Sequence, residues 1–144
     1  MSRPSPYSGD GLGNGPAYAM LGGQDLVADP NVVTKVLWVV DPKYGGPVRI
    51  RGAQLDGTHS LLFEAGGNHW GGAPIKTLER SGGAINLFPE LDLQEPGTPT
   101  GAPWRYWPSD TYAESPGCYA WQVDGLSFTE LIVVAVHEPV YRTS

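Results

Sequence analysis

The closing third of the chain constrains the fold more than any other segment. Residues 117–124 (GCYAWQVD) alternate with a period of two, as expected of a half-buried β-strand. Residues 127–136 are almost continuously apolar and rich in β-branched side chains, which is typical of a strand covered on both faces. The Asp124-Gly125 turn signal between the two runs predicts a β-hairpin. The face of the first strand that is predicted to be buried carries Tyr119, Trp121 and Val123.

Shorter strand-like runs precede this hairpin, and turn-forming Gly, Pro or Asp residues separate them. No window of eleven or more residues carries a helical apolar stripe, because Gly and Pro interrupt every candidate. Residues 76–80 are predicted to form at most one helical turn. The sequence therefore predicts an all-β fold, an antiparallel β-sandwich. Its predicted strands before the hairpin are residues 35–41, 47–55, 60–65, 84–88 and 104–107.

Length and composition favour a single turn-rich domain. The chain has 144 residues, of which 20 are Gly and 14 are Pro, and a chain of this length can bury a core without disulfides or metal. Residues 1–31 are rich in Gly, Pro, Asp and Asn, so we interpret them as an extended N-terminal arm. Residues 32–144 are then the sandwich domain, and residues 94–103 (QEPGTPTGAP) are predicted to be a long connection within it.

The charge pattern excludes some partners. The formal net charge is −6, and the only closely spaced basic pair is Arg49 and Arg51, so a nucleic acid partner is not expected. These two residues alternate with apolar ones, which predicts a solvated strand face and allows pairing with a carboxylate such as Glu130. No run reaches the roughly 18 apolar residues of a membrane span. Residues 1–10 also lack the apolar core of a signal peptide, so an exported protein would have lost its signal.

Recognisable catalytic motifs are missing from the sequence. It contains no Gly-x-Ser-x-Gly elbow, no phosphate-binding Gly-rich loop and no His-Glu-x-x-His, and no cofactor is predicted. The single Cys118 has no basic neighbour in sequence, so a buried inert thiol is favoured over a reactive one. Three scattered histidines could meet at a metal only if the fold gathered them. Carboxylate pairs for glycoside hydrolysis could come from Glu64, Glu90, Asp92, Glu95, Asp110 or Glu114, and no spacing singles out two of them.

Two aromatic segments are the candidate contact surface. Trp70 follows His69 in a stretch with Gly on both sides, so it either plugs the end of the sandwich or stands exposed as a binding platform. In an extended segment Trp104 and Tyr106 share one face while Trp107 lies on the other, so only one of these faces needs to be core. The candidate binding residues are therefore His69, Trp70, Trp104, Tyr106 and Trp107. Trp38 and Trp121 lie inside apolar strands and are predicted to be core.

Two local patterns resemble immunoglobulin-like domains of exported bacterial proteins. Residues 44–57 (YGGPVRIRGAQLDG) are similar to an early strand and turn of such modules, and residues 116–125 (PGCYAWQVDG) are similar to their penultimate strand and turn. Endings of the second kind are similar to those of actinobacterial-type proteins and lipoproteins of unknown function. The resemblance covers about residues 34–138 and implies an immunoglobulin-like sandwich scaffold. It implies no particular activity, because a fold does not determine a function.

The sequence favours a non-enzymatic, extracytoplasmic module that contributes structure or binds a ligand. A glycan or a protein would contact the aromatic segments 68–72 and 104–107, because Trp and Tyr serve both kinds of interface. One alternative is a small hydrolase that uses a carboxylate pair or a His-bound metal. Another is a self-assembling surface or coat subunit whose N-terminal arm docks on a neighbouring copy.

Overall fold

The computed structural model describes residues 11–64, 73–79, 82–93, 98–99 and 104–139. In these ranges the chain forms twelve strands and no helix, which confirms the all-β prediction, and therefore no helix that could cross a membrane. The strands are β1 (Ala17–Met20), β2 (Leu26–Val27), β3 (Thr34–Val40), β4 (Val48–Gln54), β5 (Ser60–Glu64), β6 (Lys76–Leu78), β7 (Ile85–Leu87), β8 (Leu91–Leu93), β9 (Thr98–Pro99), β10 (Arg105–Tyr112), β11 (Gly117–Asp124) and β12 (Thr129–His137).

Most of the strands belong to one curled, mixed sheet. Its order is β1-β3-β10-β5-β4-β11-β12-β2, with β8 paired to β4 and β9 paired to β10, while β6 and β7 form a separate hairpin. Among the strands that the structure describes, all pairs are antiparallel except β2 with β12. These two strands come from opposite ends of the chain, so no hairpin connection forces them to be antiparallel. The predicted wholly antiparallel arrangement is therefore replaced by a mixed sheet.

The curl of the sheet encloses an aromatic core. The rings of Trp38 on β3 and Trp121 on β11 meet edge to face with centroids 5.3 Å apart, and both side chains are completely buried. Trp107 on β10 belongs to the same cluster. Because each Trp removes about 150–250 Å² from water, this cluster stabilises the closure of β3 and β10 over β4 and β11. The prediction that Trp38 and Trp121 are core residues is confirmed.

The closing hairpin forms as predicted, but Asp124 is still paired in β11 and not in the turn, and the burial of β12 differs. β11 and β12 pair from Asp124↔Thr129 to Gly117↔Val136, and a four-residue loop, residues 125–128, joins them. The face of β11 that was predicted to be buried is fully buried. On β12, however, the side chains alternate, and Leu131 and Val133 are 63% and 60% exposed. The prediction that both faces of this strand are covered is wrong, because no described element packs on its outer face.

Other differences from the sequence prediction involve short strands. Residues 76–78 form β6, which pairs with β7, and not a helical turn. The predicted strand 104–107 extends to residue 112 as β10, and β8 was not predicted. Residues 11–31, the described part of the predicted arm, contribute β1 and β2, which pair with strands of the same chain. Strands of two to four residues carry too few side chains for a clear alternation, so the sequence pattern does not reveal them.

Candidate functional site

The predicted aromatic contact residues occupy different environments. Trp107 is 1% exposed in the main core, and Trp104 is 4% exposed against Met20 and Val39. Tyr106 is half-buried beside the same small cluster. His69 and Trp70 lie outside the described residues. The rings of Trp104 and Trp107 therefore have almost no surface left with which to stack on a ligand.

Arg105 links the start of β10 to the loop before β4. Its guanidinium donates hydrogen bonds to the carbonyl oxygens of Tyr44 (2.8 Å) and Gly46 (3.1 Å) and lies 5.1 Å from the centroid of the Trp107 ring. Burial lowers the pKa of Arg105. Because two carbonyls and an aromatic face surround the cation, Arg105 fastens the loop before β4 onto β10. The described contacts of this segment are structural.

The fold brings together two carboxyl groups that lie 46 positions apart in sequence. Glu64 on β5 and Asp110 on β10 are directly paired across the sheet. The pKa of Glu64 is raised, first by burial, then by a side-chain hydrogen bond with Asp110 and by the charge of that neighbour. A protonated Glu64 can donate to the Asp110 carboxylate, so the pair is able to hold a proton at a pH at which isolated glutamates are ionised. Glu64 also directly precedes the segment that contains His69 and Trp70.

The two strand arginines are engaged by carboxylates on the outer face of the sheet. The Nε atom of Arg49 lies 3.1 Å from Asp92 and 3.5 Å from Glu90, and Arg51 lies 3.3 Å from Asp124. The predicted solvated strand face is confirmed, but the partners are these carboxylates. Glu130, which was named as an example of a partner, points inward instead and accepts a hydrogen bond from the main-chain amide of Asn14 (3.1 Å). Because the arginines are half exposed, such pairs contribute little to stability.

The described residues contain no group of three or more His, Cys, Asp or Glu side chains close enough to hold a metal ion. His59 is engaged by Gln54, whose side-chain oxygen lies 3.0 Å from the ring nitrogen Nδ1. Cys118 is a free thiol, half-buried on the outer face of β11. A metal site built on the three histidines would need His69, which lies outside the described ranges.

An apolar groove crosses the outer face of β4, β5, β11 and β12, and we call it the outer-face groove. Its volume is about 470 Å³, within the range of ligand pockets. Leu55, Ile75 and Leu131, which line it, are among the most exposed large apolar side chains of the described chain. The described lining contains no aromatic ring. The residues that form it are Arg51, Gly52, Ala53, Leu55, Ser60, Leu62, Ile75, Pro89, Ala120, Gln122 and Leu131.

Sequence reasoning missed this groove because β12 is apolar on both faces. One signal was available in the two alternating sets of its side chains. The inward set contains only aliphatic β-branched residues after Glu130, whereas the outward set mixes Leu and Val with Ala and polar residues. The inward residues are Ile132, Val134 and Val136, and the outward residues are Thr129, Leu131, Val133, Ala135 and His137.

Compared with known proteins, the chain matches no protein-family model, and no curated protein or solved structure is significantly similar to it. The resemblance to immunoglobulin-like domains therefore stays a prediction that residues 44–57 and 116–125 carry. These two segments are neighbours in space, since β4 pairs with β11 from Arg49↔Asp124 to Gln54↔Tyr119. The hydroxyl of Tyr44 also accepts a hydrogen bond from the amide of Leu126 at 2.8 Å.

Proposed function

We propose that this chain is a non-enzymatic, extracytoplasmic module of the immunoglobulin-like β-sandwich type, with a structural or ligand-binding role. The ligand is a protein surface that packs on the outer-face groove. The immunoglobulin-like type and the extracytoplasmic location are supported only by the resemblance of residues 44–57 and 116–125 to such modules.

The exposed apolar side chains of the outer-face groove carry this proposal. Leu55, Ile75 and Leu131 are each more than half exposed, although they are large aliphatic residues. Scattered exposed apolar residues are normal on a protein surface, but here three of them line one concave site. A contact that removes these side chains from water gains free energy in proportion to the apolar area that it covers.

The chemistry of the lining supports a protein and not a glycan. Sugar rings are bound by stacking on flat aromatic faces, and the described lining has only aliphatic side chains beside Arg51, Gln122 and Ser60. Arg51 is already paired with Asp124, and the Gln122 amide donates to the same carboxylate at 3.0 Å. The polar rim is therefore largely satisfied within the chain, and the centre is apolar, which is the pattern of a protein interface.

Site-specific photo-crosslinking in the cells that make the protein tests this proposal. A benzophenone amino acid at position 75 lies in the groove, whereas the same residue at position 126 replaces Leu126, which is 82% exposed and does not line the groove. We expect a discrete protein adduct from position 75 and none from position 126. Equal labelling from both positions, or a shift of Trp fluorescence with soluble glycans and no adduct, would contradict a protein ligand. Fractionation of the same cells tests the location.

The Glu64–Asp110 pair favours a hydrolase as the second candidate. A carboxyl group with a raised pKa is suited to general acid catalysis, and the hydrogen-bonded partner carboxylate is suited to the complementary role of general base. Hydrolysis of a panel of nitrophenyl glycosides by the purified chain tests this candidate. Activity that is lost in both Glu64→Gln and Asp110→Asn would favour the hydrolase over the binding module.

A further inference from the structure

The curled sheet has an open seam along β12. One side of this strand pairs with β11 over eight positions, whereas on the other side the ladder with β2 covers only Val136 and His137. A groove of about 750 Å³, the seam groove, lies beside the part of β12 that β2 leaves uncovered. Residues 133–135 and His137 of β12 line one side of it, and residues 20–26 with Leu12 line the rest.

The hydrogen-bond pattern shows which main-chain groups face the seam. The amide of Gly125 donates to the carbonyl of Phe128 (2.9 Å), which makes these residues a hydrogen-bonded pair. Bonded and non-bonded pairs alternate in an antiparallel ladder, so the main chains of Leu131 and Val133 point away from β11. The bond from the amide of Ala28 to the carbonyl of His137, another odd-numbered residue, agrees with this assignment. Among the described residues no main-chain hydrogen bond reaches Leu131 or Val133 from the seam side.

A glycine turn keeps the chain itself from closing the seam. Between β1 and β2, Gly22 and Gly23 have φ values of +62° and +81°, which residues other than glycine rarely adopt. The amide of Gln24 donates to the carbonyl of Leu21 (3.1 Å), so the chain reverses here and does not run along β12. The turn forms the opposite wall of the seam groove. Because neighbouring strands are about 4.8 Å apart, a walled groove of this kind suits one added strand better than the edge of a whole second sheet.

We propose that the seam groove accepts one extended segment of a partner protein, which pairs with β12 as an added strand. This surface is distinct from the outer-face groove, since it uses the main chain of β12. The unpaired amides and carbonyls of Leu131 and Val133 are matched by the alternating donors and acceptors of another extended backbone. Leu26 and Val134 lie at the apolar base of the groove.

Charge and sequence narrow the occupant further. The carboxylate of Asp25 lines the groove, so a segment that carries a basic residue beside its apolar ones fits best. A second copy is not the expected occupant, because its β12 strand would bring its own β11 against the glycine turn. Residues 1–10 of the same chain are not the expected occupant, because Pro4 and Pro6 have no amide to donate to a ladder.

Amide hydrogen exchange of the full chain tests whether the edge is open. We expect the amides of Leu131 and Val133 to exchange at least about tenfold faster than those of Ile132 and Val134, which are bonded to β11. The two slower amides are an internal control for local unfolding of the strand. Slow exchange of all four amides in a monomer would mean that the chain itself fills the seam, and slow exchange that appears only on dimerisation would mean that a second copy does. Either result overturns the proposal.

Binding of a fluorescent peptide of alternating Val and Thr, with Lys at both ends, tests the pairing itself. Val133→Pro removes one edge amide and leaves the ladder to β11 intact, whereas Val133→Thr keeps the amide and the β-branched shape. We expect anisotropy titrations to show saturable binding that is about tenfold weaker in Val133→Pro and little changed in Val133→Thr. A peptide N-methylated at alternate residues makes the same test on the unmodified chain if Val133→Pro does not fold. No saturable binding, or equal binding by all forms, overturns the proposal.

Discussion

The two faces of β12 have similar hydrophobicity and opposite environments. Ile132 and Val134 point into the core with less than a tenth of their surface exposed, whereas their neighbours Leu131 and Val133 are about three-fifths exposed. The inner face meets the Trp38–Trp121 cluster across the curl of the sheet, and no described element meets the outer face. The difference teaches that the register with β11, and not the hydrophobicity of the strand, decides which residues of β12 are buried in the core and which remain exposed.

The largest expected effect comes from truncating one side chain on each face of β12 and comparing the losses of stability. Ile132→Ala leaves a cavity in the main core and should lower the free energy of unfolding by about 2–5 kcal/mol. Leu131→Ala, the adjacent outward control, should change it by no more than about 0.5 kcal/mol. Urea unfolding followed by Trp fluorescence measures both values. Similar losses for the two variants would mean that the outer face is covered in solution, and the comparison would fail.

A methyl group added at Gly52, on the inner face of β4, should have the next largest effect on the free energy of unfolding. A Cβ atom on Gly52 would lie 2.5 Å from Cδ1 of the fully buried Leu61, so Gly52→Ala should destabilise the fold by about 1–3 kcal/mol. At Gly45 a Cβ atom would meet nothing within 4 Å. Gly45→Ala should therefore be neutral or stabilising by up to about 1 kcal/mol. Thermal unfolding of the two variants gives the comparison, and a neutral Gly52→Ala would show that β4 and β5 leave room for a methyl group beside Leu61.

The sequence pattern predicted the parts of the fold that have long strands with clear alternation. β4 and β11 were recognisable because seven or more residues repeat the period of two, and β3 was recognisable as a continuous apolar run followed by turn residues. The mixed order of the sheet was not predictable, because the parallel pairing of β2 with β12 depends on two residues far from their partner in sequence. Nothing local in Leu26 or Val27 specifies that contact.

The candidate sites were less predictable than the fold. Trp104 and Trp107 were predicted to bind a ligand because Trp is common at interfaces, but both side chains pack in buried clusters. The Glu64–Asp110 pair could not be recognised from sequence, because strands β5 and β10 meet only through the register of the sheet. The two grooves depend on which residues remain uncovered, and that is a property of the assembled layers and not of any single segment.

The smallest expected effect concerns the outward-facing carboxyl pair. Because the pKa of folded Glu64 is raised above its ordinary value of 4.5, ionising this residue costs folding free energy. The cost is absent below about pH 4.5, increases as the pH rises through the raised pKa and is constant above it. Glu64→Gln keeps a donor to Asp110 and removes the ionisation, so it should stabilise the chain at pH 7 and leave its stability unchanged at pH 4.

The gain at pH 7 should be below about 1 kcal/mol, because Glu64 is only half-buried and solvent screens its interaction with Asp110. Glu79→Gln, at an exposed position, makes the same change in net charge and is the matched control. Urea unfolding of both variants at pH 4, 5.5 and 7 measures the effect, and we expect a gain that increases with pH for Glu64→Gln alone. An equal gain in both variants would assign it to the net charge of the protein. A loss at pH 7 would mean that ionised Glu64 stabilises this edge of the sheet, and the proton-sharing pair, with the hydrolase candidate that depends on it, would have to be abandoned.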